Sequence, residues 1–236
     1  MFAEDELISE PGKTFTYTTH GFTLAAAVME KASDRSFDNL LYDIFRRLGM
    51  KHTYLDTNST IIMNRAKYYS RNEKGLLENT REVDNSYKWA GGGILSTTRD
   101  LVIFANAILY SQQYSPGDNS TPLPLVSRET CAQFWKGEIP IEQHQTVALG
   151  WMRIDLPEGG SVGGSLSKSR GTVWYHTGGA VGASSALLIV PREGNTNGPR
   201  GVCVAILVNL QCVSVLKLAD ELAEIFMDYK PSAPAA

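Results

Sequence analysis

Four short apolar stretches in the last third of the chain constrain its fold more than any other feature of the sequence. They are rich in the β-branched and aromatic residues typical of strands, and they cover residues 146–155, 172–176, 184–190 and 202–209. Turn-forming residues dominate the segments between them, such as "PREGNTNGPRG". These segments carry turn residues and no helical pattern of the kind that connects parallel strands, so neighbouring strands are expected to pair antiparallel. The sequence therefore predicts an antiparallel sheet built from residues 146–210.

Helical patterns lie on both sides of this predicted sheet. Apolar residues recur three and four positions apart near residues 22–33, from Ser36 to Gly49, near 97–110 and over 215–227. The order of helices, then strands, then a helix predicts an α+β fold, an antiparallel sheet with flanking helices, rather than alternating strands and helices. The side chains predicted to face the core are, in chain order, Phe22, Ala25, Val28, Met29, Ala32, Phe37, Leu40, Leu41, Ile44, Phe45, Leu48, Leu101, Phe104, Ala105, Ile108, Leu216, Ala219, Leu222, Ala223 and Phe226.

Residue types at the helix ends support these boundaries. Thr18 or Thr19 is the predicted N-cap of the first helix, and Ser96 or Thr97 that of the third. Gly49 stands where a C-terminal glycine ends the second helix. The residues between the second and third helices carry little helical signal, and they predict short strands, such as residues 66–70, and a turn at residues 72–75.

Length and charge exclude several classes of protein. The chain has 236 residues and a net charge of −3, which predicts one domain over residues 1–236 with a frayed tail at residues 231–236. This acidic balance offers no basic surface, so nucleic acid is not an expected partner. No apolar run approaches the roughly 18 residues of a membrane-spanning helix, so no transmembrane segment is predicted.

Metal and cofactor sites are not predicted either. The three cysteines, Cys131, Cys203 and Cys212, form neither a disulfide framework nor a C-x-x-C pair. None of the four histidines has a histidine partner at helical spacing, so no metal site is expected. The run Gly91–Gly93 lacks the lysine of a phosphate-binding loop, so it is interpreted as a turn into a helix, and no cofactor is predicted.

The segment "YHTGGAVGASSALLIV" places small residues beside a predicted strand. A strand end made of small residues exposes backbone N–H groups at the edge of a sheet. An acyl substrate can pair with such an edge, and one N–H can stabilise a developing oxyanion. Taken alone, the same segment is more simply interpreted as a tight strand start in a meander.

Three segments together resemble the serine beta-lactamase-like and penicillin-binding-protein-like family. "EPGKTFTYTTHGFTLAAAVMEKAS" is similar to the family segment that carries a Tyr-x-Asn motif, and "YKWAGGGILSTTRDLVIFANAIL" to a later loop and helix. His176-Thr177-Gly178 stands at the place of the family's Lys-Thr-Gly triplet. The segments occur in family order and the resemblance runs from about Pro11 to the end, so it implies the C-terminal part of the family fold.

The resemblance implies catalytic roles for six residues. Tyr17 becomes the general base or proton shuttle, and Thr19 stands where most of the family has asparagine. His176 replaces lysine and exchanges a permanent charge for a titratable one. Thr177 supplies a hydroxyl, Gly178 allows close approach, and Gly179 supplies the oxyanion N–H. The two replacements favour an esterase-like or peptidase-like relative over an enzyme for carboxylate-bearing lactams.

An acyl or peptide substrate is the partner that this resemblance implies. Three more residues are candidate substrate contacts: His20, Trp89 and Asn85. Each also has a structural interpretation. A histidine there can simply fill a helix N-terminus, a tryptophan is more often a core side chain, and an asparagine before it can belong to a solvated turn.

The family's nucleophile lies in a Ser-x-x-Lys motif upstream of the tyrosine, where the lysine helps to deprotonate the serine. The residues before Tyr17 contain no such motif. Two matches occur elsewhere, at Ser165–Lys168 in a glycine-rich loop and at Ser214–Lys217 in the last helix, and both are interpreted as structural. The sequence is thus expected to be an N-terminally incomplete member.

Two hypotheses for function follow. The first is a serine hydrolase domain whose nucleophile is missing and which is inactive as it stands. The second is a non-catalytic module of the same fold that self-associates, as a homo-oligomer or filament, or that binds a peptide along the sheet edge. The resemblance further implies a mitochondrial location and a role in lipid metabolism, although the N-terminal residues show no targeting pattern.

Overall fold

The computed structural model describes residues 4–115, 123–156, 171–192 and 200–228. Helices come first, a run of strands follows, and a helix ends the series, so the chain has the predicted α+β architecture. The elements, in chain order, are α1 (Thr19–Ser33), α2 (Phe37–Leu48), β1 (Tyr54–Leu55), β2 (Tyr69–Arg71), β3 (Leu77–Asn79), α3 (Trp89–Gly92), β4 (Ile94–Leu95), α4 (Thr98–Gln113), α5 (Arg128–Trp135), β5 (Ile139–Glu142), β6 (Gln145–Val147), β7 (Met152–Leu156), β8 (Gly171–Ala180), β9 (Ala183–Pro191), β10 (Gly201–Val208) and α6 (Leu216–Asp228).

The main sheet is an antiparallel meander. Its six strands lie in the order β10-β9-β8-β7-β6-β5, so every strand pairs with its neighbour in the chain. The single strand predicted over residues 146–155 is in fact two strands, β6 and β7. Gly150 has a φ of +78°, and the Ala148 N–H donates to the Trp151 carbonyl at 2.8 Å, which closes a tight turn between them.

Strand β8 is longer than predicted and changes the interpretation of the glycine-rich segment. The prediction ended the strand at His176, but the strand continues through both glycines to Ala180 and pairs with β9 throughout. The turn lies later, at Val181 and Gly182, where Gly182 has a φ of +77°. The triplet therefore lies inside a strand rather than at its start.

Each face of the sheet is covered by helices. On one face α6 packs over β9 and β10, around a core that includes Val173, Tyr175 and Leu188. On the other face α4 and α5 pack over Trp174 and Ile189. The Trp174 ring stacks on that of Trp135 with centroids 4.3 Å apart, and its indole N–H donates to the Trp135 carbonyl. Burying aromatic and branched side chains on both faces is the main stabilisation of this sheet.

Helices α2 and α4 follow the sequence pattern. Gly49 ends α2 with a φ of +71°, and the Thr97 hydroxyl caps α4 by accepting from the Asp100 N–H at 3.2 Å. The short elements α3, α5 and β5 were not predicted, and Gly91 and Gly92, which were interpreted as part of a turn, lie in α3. Among the described residues no helix combines the length and apolarity that crossing a bilayer requires.

The predicted inward stripe of α1 is wrong. Its members Phe22, Val28 and Met29 are exposed, Val28 by 59%, whereas Ala26 is the buried residue of this helix. Helix α1 packs against α3 and α2 rather than covering the sheet, so it buries the small-residue side and leaves the apolar stripe outside. Phe226 of α6 is exposed as well. Periodicity indicates that a face is apolar, but not whether another element is there to cover it.

We predict that two leucine substitutions separate the buried sheet from the exposed helix. Leu188→Ala removes a side chain that is 0% exposed, so it should lower the free energy of unfolding by about 2–5 kcal/mol. Leu24→Ala acts on a side chain that is 56% exposed on α1 and should change that free energy by less than about 0.5 kcal/mol. Urea unfolding followed by circular dichroism measures both. Equal losses would contradict the described burial.

Candidate active site

Among the residues that the structure describes, no strand pairs with one edge of β8 over the segment that sequence analysis selected. Strand β7 begins at Met152, which pairs with Tyr175, so His176–Ala180 extend beyond the end of β7. The other side of this segment is paired with β9 down to Ala180 and Ala183. The exposed backbone of a rigid, half-paired strand is therefore available to a ligand in an extended conformation.

The register determines which N–H groups point out of this open edge. The two-residue turn makes Ala180 and Ala183 the hydrogen-bonded pair that closes the hairpin. Hydrogen-bonded and non-hydrogen-bonded pairs alternate along an antiparallel ladder. The N–H groups of Gly178 and Ala180 thus point to β9, and those of Thr177 and Gly179 point to the open side.

Tyr17 and His176 lie side by side at this edge. Their ring centroids are 6.4 Å apart, and the Tyr17 side chain is 57% exposed. The His176 Nδ1 lies 2.7 Å from the Thr177 carbonyl oxygen. Because a carbonyl can only accept, Nδ1 must carry a proton in this contact. The structure therefore brings together a phenol, an imidazole and the outward N–H groups of β8.

The start of α1 holds Tyr17 in place. The Thr18 hydroxyl caps the helix by accepting from the His20 N–H at 3.2 Å, which places the His20 backbone in the first turn. Thr19 packs directly against α3: a Cβ on Gly91 would lie 2.7 Å from the Thr19 carbonyl oxygen. Only glycine allows that approach, so the "WAGGG" segment contacts the backbone of Thr19, two residues after Tyr17.

A buried carboxylate fixes α3 in turn. Asp56 is 2% exposed and forms an ion pair of 2.7 Å with Arg65. The Asn85 amide donates to Asp56 Oδ2 at 2.7 Å, and the Trp89 indole N–H donates to the Asp56 carbonyl at 2.8 Å. The polar groups of these two predicted substrate contacts are thus engaged with Asp56. Sequence analysis did not select Asp56 or Arg65, because neither stands in a recognisable motif.

The tip of the β8–β9 hairpin is also anchored. The Ser184 hydroxyl donates to the Leu210 carbonyl at 2.8 Å and accepts from the Val213 N–H at 3.0 Å. Gly182 approaches Tyr68 so closely that a Cβ there would collide with the Tyr68 side chain. Because Ser184 pairs with Gly179, these contacts hold the outward N–H of Gly179 in a fixed direction.

The two Ser-x-x-Lys matches are remote from this arrangement or lie outside the described residues. Ser165–Lys168 fall outside the described part of the chain. Ser214 precedes α6, whose Lys217 forms an ion pair with Glu221 at 3.9 Å. Helix α6 packs on the sheet face that carries Val173 and Tyr175, whereas alternation along β8 puts His176 on the opposite face.

Two of the three cysteines provide no activated nucleophile in their place. Burial raises the pKa of both Cys131 and Cys203 to about 12, so these two thiols stay protonated near neutral pH. Within the described ranges, histidine, cysteine and acidic side chains form no group of three that could hold a metal ion.

Comparison with known proteins places this geometry in a family. A family model described as Beta-lactamase matches residues 1–224. The mouse "Serine beta-lactamase-like protein LACTB, mitochondrial" is 40% identical over 94% of the chain. The chain spans 42% of the length of that relative, and the match lies in its C-terminal portion.

Solved structures share the fold at lower identity. A D-stereospecific amidohydrolase from Streptomyces superimposes with a TM-score of 0.65 at 22% identity, over 94% of this chain and 57% of that one. An octameric penicillin-binding protein homologue from Pyrococcus abyssi gives a TM-score of 0.69 at 20% identity, over 93% of this chain and 44% of that one. The predicted beta-lactamase and transpeptidase-like fold is confirmed.

We predict that Gly91→Ala disturbs the site whereas Gly179→Ala does not. The first substitution forces a Cβ against the Thr19 backbone and should cost about 1–3 kcal/mol of stability. It should also increase the distance between the Tyr17 and His176 rings, because Thr19 starts the helix that follows Tyr17. The second adds a methyl group with nothing within 4 Å. Thermal unfolding and NOEs between the two rings measure both effects, and retention of the NOEs in folded Gly91→Ala would contradict this positioning.

Proposed function

This chain belongs to the beta-lactamase family, and on that premise we propose that it carries one part of an acyl-transfer site of the serine hydrolase type. The observation that carries the proposal is the juxtaposition of Tyr17 with His176 at the open end of β8. A phenol, an imidazole and outward N–H groups around one strand edge are the proton-transfer and oxyanion-binding groups that acyl transfer uses.

Tyr17 is the proposed proton shuttle. Its exposed hydroxyl can exchange a proton with a substrate group, and the adjacent imidazole of His176 can share that proton through Nε2. The Nδ1 bond to the Thr177 carbonyl keeps the ring in one tautomer and orientation.

Thr177 and Gly179 are the proposed binders of the acyl group. A substrate that lies along β8 as an extra strand can accept from the N–H groups on the open side. The carbonyl undergoing attack would then receive the Gly179 N–H, which is preorganised by the Ser184 anchor on the paired strand. The Thr177 hydroxyl supplies a further donor, and Gly178 keeps that part of the strand free of side-chain bulk.

An ester or peptide-like acyl compound is the proposed substrate class. Thr19 offers a hydroxyl where the family pattern has an amide, and His176 offers no permanent positive charge to hold a substrate carboxylate. Asn85 and Trp89 act as positioning residues in this proposal, because they bind Asp56 behind α3. His20, in the first turn of α1, remains a proposed substrate contact.

The chain by itself is proposed to lack covalent catalysis. The residues before Tyr17 hold no Ser-x-x-Lys motif, and nucleophile and base act as a unit in serine hydrolases.

The second candidate function is a binding module of the same fold, and the half-paired segment His176–Ala180 favours it, since an extended peptide can pair there without any chemistry. By resemblance we also propose a mitochondrial location and a role in lipid metabolism.

We predict no covalent adduct on incubation with an activated penicillin or a fluorophosphonate. Loss of the nucleophile in a comparable serine hydrolase costs on the order of 10⁶ in rate, so intact-mass spectrometry should show the unmodified chain. A stoichiometric adduct that maps to Ser165 or Ser214 would overturn the structural interpretation of those serines.

We further predict that an N-acetylated dipeptide amide binds at the β8 edge. In an NMR titration the amides of Thr177 and Gly179 should shift, whereas those of Gly178 and Ala180, which are bonded to β9, should shift less. Tyr17→Phe should weaken binding a few-fold, and Leu24→Ala, on the exposed side of α1, serves as the control. Shifts confined to another surface would contradict the proposed site.

A further inference from the structure

Asp56 forms hydrogen bonds to the chain before α3, to the first residue of α3 and to the residue just after it. The Asn85 amide, which precedes α3, donates to Asp56 Oδ2 at 2.7 Å. The Trp89 indole N–H donates to the Asp56 carbonyl at 2.8 Å. The Asp56 N–H donates in turn to the Gly93 carbonyl at 2.8 Å. One residue thus holds α3 at both of its ends.

Helix α3 is too short to keep its position by itself. It spans four residues, and its N-cap residue Lys88 makes no side-chain hydrogen bond to the helix. A single helical turn is unfavourable in isolation, because many backbone dihedrals are fixed for few hydrogen bonds. The position of α3 therefore depends on contacts with other parts of the chain, and the three hydrogen bonds to Asp56 are among them.

The Asp56 side chain is itself held in one orientation. It is buried, and the Arg65 guanidinium lies 2.7 Å from Oδ1, in a charge contact that lacks the alignment of a hydrogen bond. Burying a carboxylate is costly unless a cation and hydrogen-bond donors compensate it. Arg65 at one oxygen and Asn85 at the other provide this compensation, so the orientation that serves the carboxylate is also the one that holds Asn85.

Helix α3 connects Asp56 to the candidate active site. Gly91 lies so close to Thr19 that a Cβ on it would be 2.7 Å from the Thr19 carbonyl oxygen, so a displacement of α3 toward α1 must move Thr19 as well. Thr19 begins α1, and Tyr17 lies two residues earlier, beside His176. The position of the Tyr17 ring thus depends on that of α3.

We propose that Asp56 is a positioning residue for the Tyr17–His176 pair: its carboxylate, paired with Arg65, sets the position of α3 and thereby the distance between the two rings. Asp56 acts through α3 and not on reacting atoms. The inference rests on the proposed function for its consequence, since a misplacement of about 1 Å in a reacting pair can cost on the order of 10²-fold in rate. The positioning itself is a property of the chain without any ligand.

A comparison of two buried carboxylates tests the inference. Asp56 and Asp100 are both 2% exposed, but Asp100 accepts from the His52 N–H at 2.7 Å and the Thr53 hydroxyl at 2.9 Å, in the first turn of α4. Asp56→Ala and Asp100→Ala should both lower the thermal unfolding midpoint, because each leaves buried donors unpaired. Only Asp56→Ala should also reduce the NOE between the Tyr17 and His176 rings severalfold, in the ligand-free chain and well below either midpoint. A purely structural role for Asp56 would leave this NOE equal in the two variants.

A second variant removes the same hydrogen bond from its other end. Asn85→Ala leaves the Asp56–Arg65 ion pair intact and should reduce the ring NOE in the same direction, so it decides the question if circular dichroism shows that Asp56→Ala does not fold. Both variants should weaken binding of the N-acetylated dipeptide amide at least about threefold.

The two readouts separate this inference from the proposed function. If the unchanged chain does not bind the dipeptide amide, the proposed function fails, while the NOE still tests the positioning. An unchanged NOE in folded Asp56→Ala or Asn85→Ala, or an equal loss of NOE in Asp100→Ala, would overturn the role of Asp56.

Discussion

The pairing of β8 with β9 is the interaction on which the rest of the molecule depends. Its register is fixed by the two-residue turn after Ala180, and that one register determines which backbone groups of β8 face the candidate site. It points the Gly179 N–H to the open side of β8. A slip of one residue in this register would move the side chains of a strand to the opposite face of the sheet. It would also turn the outward N–H groups toward the neighbouring strand. The buried Val173, Trp174, Leu188 and Ile189 make such a slip costly, since each must stay on its own face.

The candidate site is assembled by close backbone contacts rather than by its own side chains. Gly91 lets α3 approach Thr19, and Asp56 holds α3 through Asn85 and Trp89. Gly182 lets the hairpin tip approach Tyr68, and Ser184 ties β9 to the segment after β10. These contacts lie behind the surface that a substrate would touch. Tyr17 itself is exposed and His176 is half-buried, so both remain accessible to a ligand with which they could exchange protons.

The structure leaves three surfaces without a partner among the described residues: the end of β8, the edge of β10 and the apolar stripe of α1. Only the first has the polar groups that recognition of an acyl compound needs. The second offers backbone groups and the third offers apolar area alone.

The sequence by itself determined the α+β order, the antiparallel meander, the caps at Thr97 and Gly49, and the family to which Tyr17 and the His176 triplet point, because periodicity and turn residues act locally. It could not predict that β8 continues through Gly178 and Gly179, since whether glycines extend or break a strand depends on the partner strand. Nor could it predict that Phe22 and Val28 are exposed, or that Asn85 and Trp89 bind Asp56. Only the tertiary structure decided these points, because burial and long-range hydrogen bonds are properties of what packs against a residue and not of the residue's neighbours in the chain.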